Sequence, residues 1–219
     1  MQDFDKAFYI NLRRRPDRDA EFNSQSVVQE LIDHWRLERF EGVDEEPPKK
    51  FTLARGVWGC YQSHLRILER FASTPEWRNI FILEDDALFV DNFYNRFKSL
   101  RSPSNWGMIY LGGQPLDDCV FSENVNFFRC TNINRTHAYG VSRLYLNEIL
   151  NGLRDPANLY SNHVDTILGK LHATIPTYIA SLRLVSQREG LSDVNGQPQT
   201  TREWSYQKIV RQSKKEIQS

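Results

Sequence analysis

The sequence predicts an α/β fold with a largely parallel central sheet. Residues 79–83 and 108–111 are short, continuous apolar runs bounded by polar residues, which is typical of strands buried on both faces. Between such runs lie stretches with apolar residues at helical spacing, the clearest at residues 58–71. Alternation of strands and helices indicates a sandwich in which helices cover the sheet.

The elements of the first half follow in a regular order. Residues 7–12 (AFYINL) are rich in strand formers, and Pro16 then suits the first turn of a helix. Residues 37–43 predict a second strand, and residues 45–50 (EEPPKK) form a loop by composition. The helix at residues 58–71 follows a Gly-rich entry and leads to the first buried strand.

The pattern weakens after residue 113, where the second buried strand ends in two glycines. The remaining candidates are strands at residues 125–130, 138–141 and 178–185 and helices at residues 144–153 and 164–171. No linker divides the chain, so we predict one domain over residues 1–200. A polar, basic tail follows at residues 201–219, and it is either a solvated helix or disordered.

Composition narrows the functional classes. The chain has 219 residues, 40% of them hydrophobic, which is enough for a packed core. Its 28 basic and 28 acidic residues balance, which argues against a dedicated nucleic-acid-binding domain. We therefore expect no stable nucleic-acid partner.

Cysteine usage and hydropathy suggest a compartment. Three cysteines without C-x-x-C spacing argue against a disulfide framework and a cysteine-based zinc site, and favour a reducing compartment. No stretch reaches the roughly 18 apolar residues of a transmembrane segment. The N-terminus places acidic residues before a short apolar run, the wrong order for a secretory signal. We expect a cytoplasmic protein, with peripheral contact at a membrane surface left open.

Three adjacent acids, Glu84, Asp85 and Asp86, follow the first buried strand. Ligands of open α/β sheets bind outside the carboxyl ends of the strands. Adjacent carboxylates repel one another, and a divalent cation such as Mg²⁺ or Mn²⁺ relieves that repulsion. The alternative to a cation site, which the sequence favours equally, is an acidic turn that is simply exposed to solvent.

Other polar groups are less specific by themselves. Ser63 and His64 are adjacent on a helix and point about 100° apart, so they do not form a nucleophile–base pair with each other. Cys60 is more typical of a small buried hydrophobe than of a reactive thiol. Asp165 in the first turn of a helix is typical of a partner for the helix dipole. Four arginines after the first strand indicate either a phosphate site or a solvated basic face: Arg13, Arg14, Arg15 and Arg18.

The order of these motifs resembles glycosyltransferase family 25, which includes bacterial lipooligosaccharide galactosyltransferases and procollagen galactosyltransferases. The similarity spans roughly residues 6–196. It rests on residues 9–18 (YINLRRRPDR), 56–64 (GVWGCYQSH), 83–86 (LEDD), 106–112 (WGMIYLG), 137–142 (HAYGVS), 164–165 (VD) and 192–193 (SD). One departure is Gly107, which stands where the family has an Asp after the Trp.

The resemblance implies a GT-A-type fold and an inverting transfer, usually of galactose, from a UDP-sugar to an acceptor hydroxyl. It implies Mn²⁺ (or Mg²⁺) held by Asp86 and by Glu84 or Asp85, with the neutral amide of Gln187 as a further ligand. Asp165 matches the family's later Asp and is the candidate catalytic base. The residues implied for donor binding are Asn11, Arg13, Ser63, His64, Glu84 and Asp85. His137 and Tyr139 are implied in a loop facing the sugar or acceptor.

Two other classes stay open. A metal-dependent phosphoester hydrolase also collects acids at strand ends, but the five histidines are scattered and no second acidic cluster is evident. A non-catalytic nucleotide-sugar or glycan-binding module does not require the triplet and Asp165. For the acceptor, we expect a glycan or lipid-linked saccharide, as in lipopolysaccharide biosynthesis. A hydroxylated peptide or a modified nucleobase is the further possibility.

Overall fold

The computed structural model describes residues 1, 3–117, 119–121, 126–194 and 196–199. The tail at residues 201–219 lies outside this range. The described strands are β1 (Lys6–Asn11), β2 (Glu38–Glu41), β3 (Asn79–Glu84), β4 (Ala87–Phe89), β5 (Met108–Pro115), β6 (Cys119–Phe121), β7 (Phe127–Cys130), β8 (Ile133–Ser142), β9 (Thr177–Ala180), β10 (Val185–Gln187), β11 (Gly190–Leu191) and β12 (Pro198–Gln199). The described α-helices are α1 (Pro16–Asn23), α2 (Val27–Trp35), α3 (Arg55–Ala72), α4 (Phe93–Ser99), α5 (Leu146–Arg154), α6 (Pro156–Leu159) and α7 (Val164–Leu171).

The predicted α/β class is confirmed. Eight strands form the central sheet in the order β2-β1-β3-β8-β5-β9-β7-β6. β1 is parallel to β2 and β3, and β5 is parallel to β9. The sheet is mixed, because β8 runs antiparallel to both β3 and β5. Two small two-stranded sheets, β4-β10 and β11-β12, complete the described strands.

Side chains of the central strands alternate between two apolar cores, one on each face of the sheet. Ile80 and Ile82 of β3 belong to the core that also contains buried residues of α3, α5 and α7. Phe81 and Leu83 belong to the opposite core, with buried residues of α1, α2 and α4. This alternation explains why the strand reads as a continuous apolar run. Full burial stabilises the fold by about 1.5–3 kcal/mol for each such side chain.

Helix α3 begins at Arg55. The Gly-rich segment that we expected to precede the helix therefore forms its first turns. The two glycines are needed there for close backbone packing. A Cβ at Gly56 would lie 2.2 Å from the carbonyl oxygen of Asp193, and one at Gly59 would lie 2.3 Å from that of Val43. Both contacts join the helix to segments that border the site described below.

Other boundaries also differ from the predictions. The helical pattern after Pro16 is two helices, α1 and α2, and the strand expected at residues 178–185 is divided into β9 and β10. β10 leaves the main sheet and pairs with β4, placing Gln187 opposite Ala87. Among the described residues, no helix combines the length and apolar character needed to cross a bilayer.

The prediction against disulfide bonding is wrong for Cys119 and Cys130. These two residues lie directly opposite each other in the β6–β7 pair and form a disulfide, while Cys60 is a free thiol. Counting cysteines could not reveal this bond, because the partners lack a recognisable spacing and meet only through strand pairing. The cysteine argument for a reducing compartment is therefore lost.

Candidate active site

A cavity of about 350 Å³ opens at the carboxyl ends of β1 and β3. Its walls come from the first turns of α3, the first turn of α7, β10 and the segment that follows β11. The predicted site residues among its lining are Ser63, His64, Glu84, Asp85, Asp86, Asp165 and Gln187. Parallel neighbours β1 and β3 end at the same edge of the sheet, which is why their following residues meet.

The acidic triplet projects three carboxylates with different partners. Glu84 accepts a hydrogen bond from Thr136 Oγ1 at 2.7 Å. Asp85 is buried and accepts hydrogen bonds from Asn11 Nδ2 at 2.8 Å and Arg18 at 3.2 Å. Asp86 accepts one from Gln187 Nε2 at 2.9 Å through Oδ2. Its Oδ1 is buried and has no hydrogen-bond partner among the residues that the structure describes.

The three carboxyl groups differ in proton affinity. Burial, followed by the charge of Glu84, raises the pKa of Asp86 to about 7. Burial raises the pKa of Asp85 as well, against the opposing effects of Asn11 and Arg18. Burial would also raise the pKa of Glu84, but interactions with His64 and Thr136 outweigh it and lower that pKa. At Asp86, therefore, the negative charge of the site exceeds the positive charge that the described cations supply.

His64 is fully buried on α3 and faces the triplet. Its Nδ1 lies 2.9 Å from the hydroxyl oxygen of Tyr139, and its Nε2 lies 3.6 Å from Glu84 Oε1. The neighbouring Ser63 has a different task. Its hydroxyl donates to the carbonyl of Gly59 at 2.7 Å and accepts from the amide of Val43 at 2.9 Å, which ties α3 to the loop after β2.

The arginines after β1 are bound to carboxylates. Arg14 donates to Asp193 at 2.6 Å and to Asp44 at 3.0 Å. Arg15 pairs with Asp17 at 2.6 Å and also with Asp193. Asp193, in the segment after β11, therefore holds this basic group against the rim of the cavity.

The arginine named in the prediction is not the one at the cavity. Arg13 is exposed and does not line it, whereas Arg14 and Arg18 do. Asn11 is buried and lies behind the triplet: it donates to Asp85 and accepts from Arg39 Nε at 3.0 Å, so it orients a carboxylate.

The prediction of a sugar-facing loop at His137 and Tyr139 is wrong. Both residues belong to strand β8, are buried, and do not line the cavity. Burial lowers the pKa of His137 to about 4, which keeps its ring neutral. The small and aromatic residues around them are typical of a central strand packed on both faces. The polar residues in the motif obscured this strand pattern in the sequence.

Asp165 lines the same cavity as the triplet and lies in the first turn of α7. Its Oδ1 accepts a hydrogen bond from the amide of Thr166 at 2.8 Å, which fixes the carboxylate at the helix start. The predictions missed Thr136 and Asp193 as site residues. The only signals were the place of Asp193 in the last motif and that of Thr136 at the start of the small and polar group at residues 136–142.

Comparison with known proteins identifies the family. The family described as glycosyltransferase family 25 (LPS biosynthesis protein) matches residues 4–143. The chain belongs to glycosyltransferase family 25. Membership and the observed sheet confirm the predicted GT-A-type fold class.

The curated relatives of this chain include proteins named inactive and proteins named galactosyltransferases. The "inactive glycosyltransferase 25 family member 3" of Homo sapiens is 33% identical over 130 residues, covering 50% of this chain and 22% of that protein. Procollagen galactosyltransferase 2 of Mus musculus is 26% identical over 131 residues, covering 50% of this chain and 21% of that protein. The chain thus spans about a fifth of the length of these relatives.

Among solved structures, one similar protein is a glycosyltransferase involved in the glycosylation of the major capsid of PBCV-1. Its TM-score is 0.49 at 10% identity, covering 82% of this chain and 81% of that one.

Proposed function

We propose that this family 25 protein is a metal-dependent inverting transferase that moves a sugar, galactose or a related hexose, from a UDP-sugar to an acceptor hydroxyl. The observation that carries the proposal is the orphaned Oδ1 atom of Asp86, buried beside Glu84 in the cavity. A buried carboxylate oxygen without a partner is costly unless a ligand satisfies it.

The donor set fits a hard divalent cation. Carboxylate oxygens of Asp86 and Glu84 and the amide oxygen of Gln187 would hold Mn²⁺ or Mg²⁺, which prefer oxygen ligands. When bound, the cation supplies Lewis-acid stabilisation of the charge that develops on the departing diphosphate. The raised pKa of Asp86 supports the fit, because the carboxyl lacks compensating positive charge.

The chain's own residues prepare the donor and acceptor. Arg14 and Arg18 line the cavity and offer guanidinium donors for the diphosphate. Asn11 keeps Asp85 oriented at the floor of the site. Asp165 acts as base: the acceptor oxygen forms a bond to the anomeric carbon, the bond from that carbon to UDP breaks, and the acceptor's proton passes to the carboxylate.

A non-catalytic binding module is the second candidate, because several of the curated relatives are named inactive. The acceptor remains the glycan or lipid-linked saccharide proposed from the sequence, with a hydroxylated peptide or modified nucleobase as further candidates. A cytoplasmic location is likewise a proposal.

Thermal melting against a panel of nucleotide sugars, with and without Mn²⁺, tests donor binding. A ligand that binds only the native state raises the melting temperature by mass action. We expect one UDP-sugar to raise it only when Mn²⁺ is present. An unchanged melting temperature with every nucleotide sugar and metal contradicts the proposal.

Asp165→Asn then separates transfer from binding. Loss of a general base typically slows turnover by about 10²–10⁴-fold, so sugar transfer measured by mass spectrometry should fall by that factor. The Mn²⁺-dependent melting shift should stay, because Asp165 is not placed among the metal ligands. Equal transfer rates in the variant and the unsubstituted chain reject Asp165 as the base.

A further inference from the structure

Cys60, His64 and Glu84 form a second group of possible metal ligands in the same cavity. Cys60 Sγ, a ring nitrogen of His64 and a carboxylate oxygen of Glu84 all lie within 4.8 Å of one another. Cys60 and His64 are four residues apart on α3, so their side chains project from the same face of the helix. Glu84 meets them from the end of β3, and all three line the cavity.

The ring of His64 is positioned for a ligand. The side chain is fully buried, and within the described part of the chain its Nε2 has no hydrogen-bond partner. The 2.9 Å contact between Nδ1 and the Tyr139 hydroxyl fixes the ring orientation. When Nδ1 donates its hydrogen to that oxygen, the Nε2 lone pair is free to bind a cation. Such hydrogen bonding of the second ring nitrogen is usual for metal-bound histidines.

The distance between two of these ligand atoms suits one shared ion. His64 Nε2 and Glu84 Oε1 are 3.6 Å apart, too far for a hydrogen bond. Nitrogen and oxygen ligands at about 2.0–2.2 Å from a tetrahedral zinc ion are separated by about 3.4 Å. Small side-chain adjustments therefore bring both atoms onto one cation.

We propose that Cys60, His64 and Glu84 bind a thiophilic divalent cation, of which Zn²⁺ is the representative. Thiolate and imidazole ligands favour zinc over Mn²⁺ or Mg²⁺, whose preferred ligands are oxygens. Three protein ligands leave a fourth position open to the cavity, as in zinc sites that keep a water or a substrate. This site differs from the oxygen-rich one at Asp86, although both use Glu84.

The local charge supports cation binding. Burial raises the pKa of the Cys60 thiol well above its usual range, and the negative charges of Glu84, Asp165 and Asp86 raise it further. The cation must therefore displace a proton from the thiol. The carboxylates that contribute to this raised pKa also attract the incoming cation.

Sharing Glu84 has a regulatory consequence, which rests on the proposed function. A cation bound through Cys60 and His64 withdraws Glu84 from the Mn²⁺ site. Zn²⁺ is therefore an inhibitor of the proposed sugar transfer, and excess Mn²⁺ does not relieve the inhibition while the thiolate holds the zinc.

Cobalt spectroscopy of the metal-free full chain tests the site directly. Co²⁺ replaces Zn²⁺ at such sites and gives a near-ultraviolet thiolate-to-metal charge-transfer band. We expect this band in the unsubstituted chain, its loss in Cys60→Ser, and its disappearance when Zn²⁺ is titrated in. Cys60 is the free thiol of the chain's three cysteines, since Cys119 and Cys130 are joined, so the band reports on one residue.

Further variants make the result specific. Glu84→Gln should weaken Co²⁺ binding at least about tenfold, and His64→Gln should do the same if it folds. Asp86→Asn should keep the band, because Asp86 is not a ligand of this site. Absence of the band, or a band that survives Cys60→Ser, overturns the proposal. A band without any donor-induced melting shift retains the zinc site and rejects the proposed transferase.

Discussion

The segments that follow β1 and β3 lie at the same edge of the sheet, but the first is basic and the second is acidic. After β1, Arg14 and Arg15 are exposed or half-buried, and both pair with carboxylates, including that of Asp193. After β3, Glu84 and Asp86 are drawn into the cavity, and Asp86 keeps a buried oxygen without a partner. The basic segment has its charges neutralised by carboxylates, whereas the charge of Asp86 in the acidic segment has no ion-pair partner among the described residues.

The difference separates two kinds of ligand site. Among the described residues Asp86 has no ion-pair partner, so its orphaned Oδ1 can gain a cation without giving up a contact of its own. The basic segment must exchange Asp193 for a phosphate before it can bind one. Arg18 links the two segments, because it contacts Asp85 at 3.2 Å and lies 3.8 Å from Asp193. We infer that the cation enters a prepared site, whereas the diphosphate displaces a carboxylate.

Among changes in these two segments, the largest effect is expected from Asp86→Asn, which removes the charge of the orphaned carboxylate. Sugar transfer should fall by about 10²–10³-fold, the usual cost of losing one stabilising group for transition-state charge. Rates measured at saturating Mn²⁺ test this. Asp91→Asn, at an exposed acid outside the cavity lining, is the matched control and should keep its rate. Comparable rates in the two variants would mean that the acidic segment does not serve the reaction.

The pH dependence of the free energy of unfolding tests the same difference between the acidic and basic segments. Without metal the pKa of Asp86 is about 7 in the folded protein, against a reference value of 3.8. The folded state thus retains a proton that the unfolded state releases, and the free energy of unfolding falls as pH rises from about 4 to about 7. Because the carboxyl is half-buried, we expect a loss of about 2 kcal/mol.

Urea unfolding with a chelator, repeated across this pH range, measures the loss. Asp86→Asn should flatten the pH dependence, since the amide does not titrate. Added Mn²⁺ should also remove it, because the cation favours the charged carboxylate. An equally steep decline in the Asn variant would assign the effect to other groups.

A smaller effect is expected on the basic side. Arg18→Gln removes a guanidinium from the cavity lining, and the affinity for the UDP-sugar should fall by about tenfold, the value of one charge-assisted hydrogen bond. Arg15→Gln is the control, because Arg15 also contacts Asp193 but does not line the cavity. Calorimetric titration in the presence of Mn²⁺ compares them. Equal losses would mean that the arginines act only through Asp193.

The smallest effect concerns Asp193 itself. Asp193→Asn weakens the pairs with Arg14 and Arg15, which are partly exposed and worth at most about 1 kcal/mol each. Donor affinity should therefore rise by a few fold, because the phosphate has less to displace. A fall in affinity in the same titration would show that Asp193 supports donor binding instead of opposing it.

The sequence predicted the elements whose physical signal is local. The runs at residues 79–83 and 108–111 became β3 and β5, because a short run that is apolar throughout is typical of a strand with both faces covered. Helix α7 was predicted with its observed ends. The β9–β10 division and the β6–β7 hairpin escaped prediction, since strand pairing decides both, and a single short strand does not encode its partner.

The same limit applies to the site. The acidic triplet was recognisable because it ends a strand, and the structure brings Asp165 and Gln187 to the same cavity. His137 and Tyr139 were placed in a loop, because polar side chains in a buried strand resemble loop residues until their neighbours are known. Thr136 and Asp193 gained their contacts from tertiary packing alone.

The disulfide covalently joins β6, the last strand of the sheet, to its neighbour β7. β6 follows β7 at the end of the strand order, so no other described strand pairs with its outer edge. Open edges invite pairing with strands of other molecules. If Cys119 and Cys130 are reduced, three paired residues connect β6 to the sheet, and the strand can fray into such a template. We therefore expect a reduced preparation to aggregate more readily than an oxidised one.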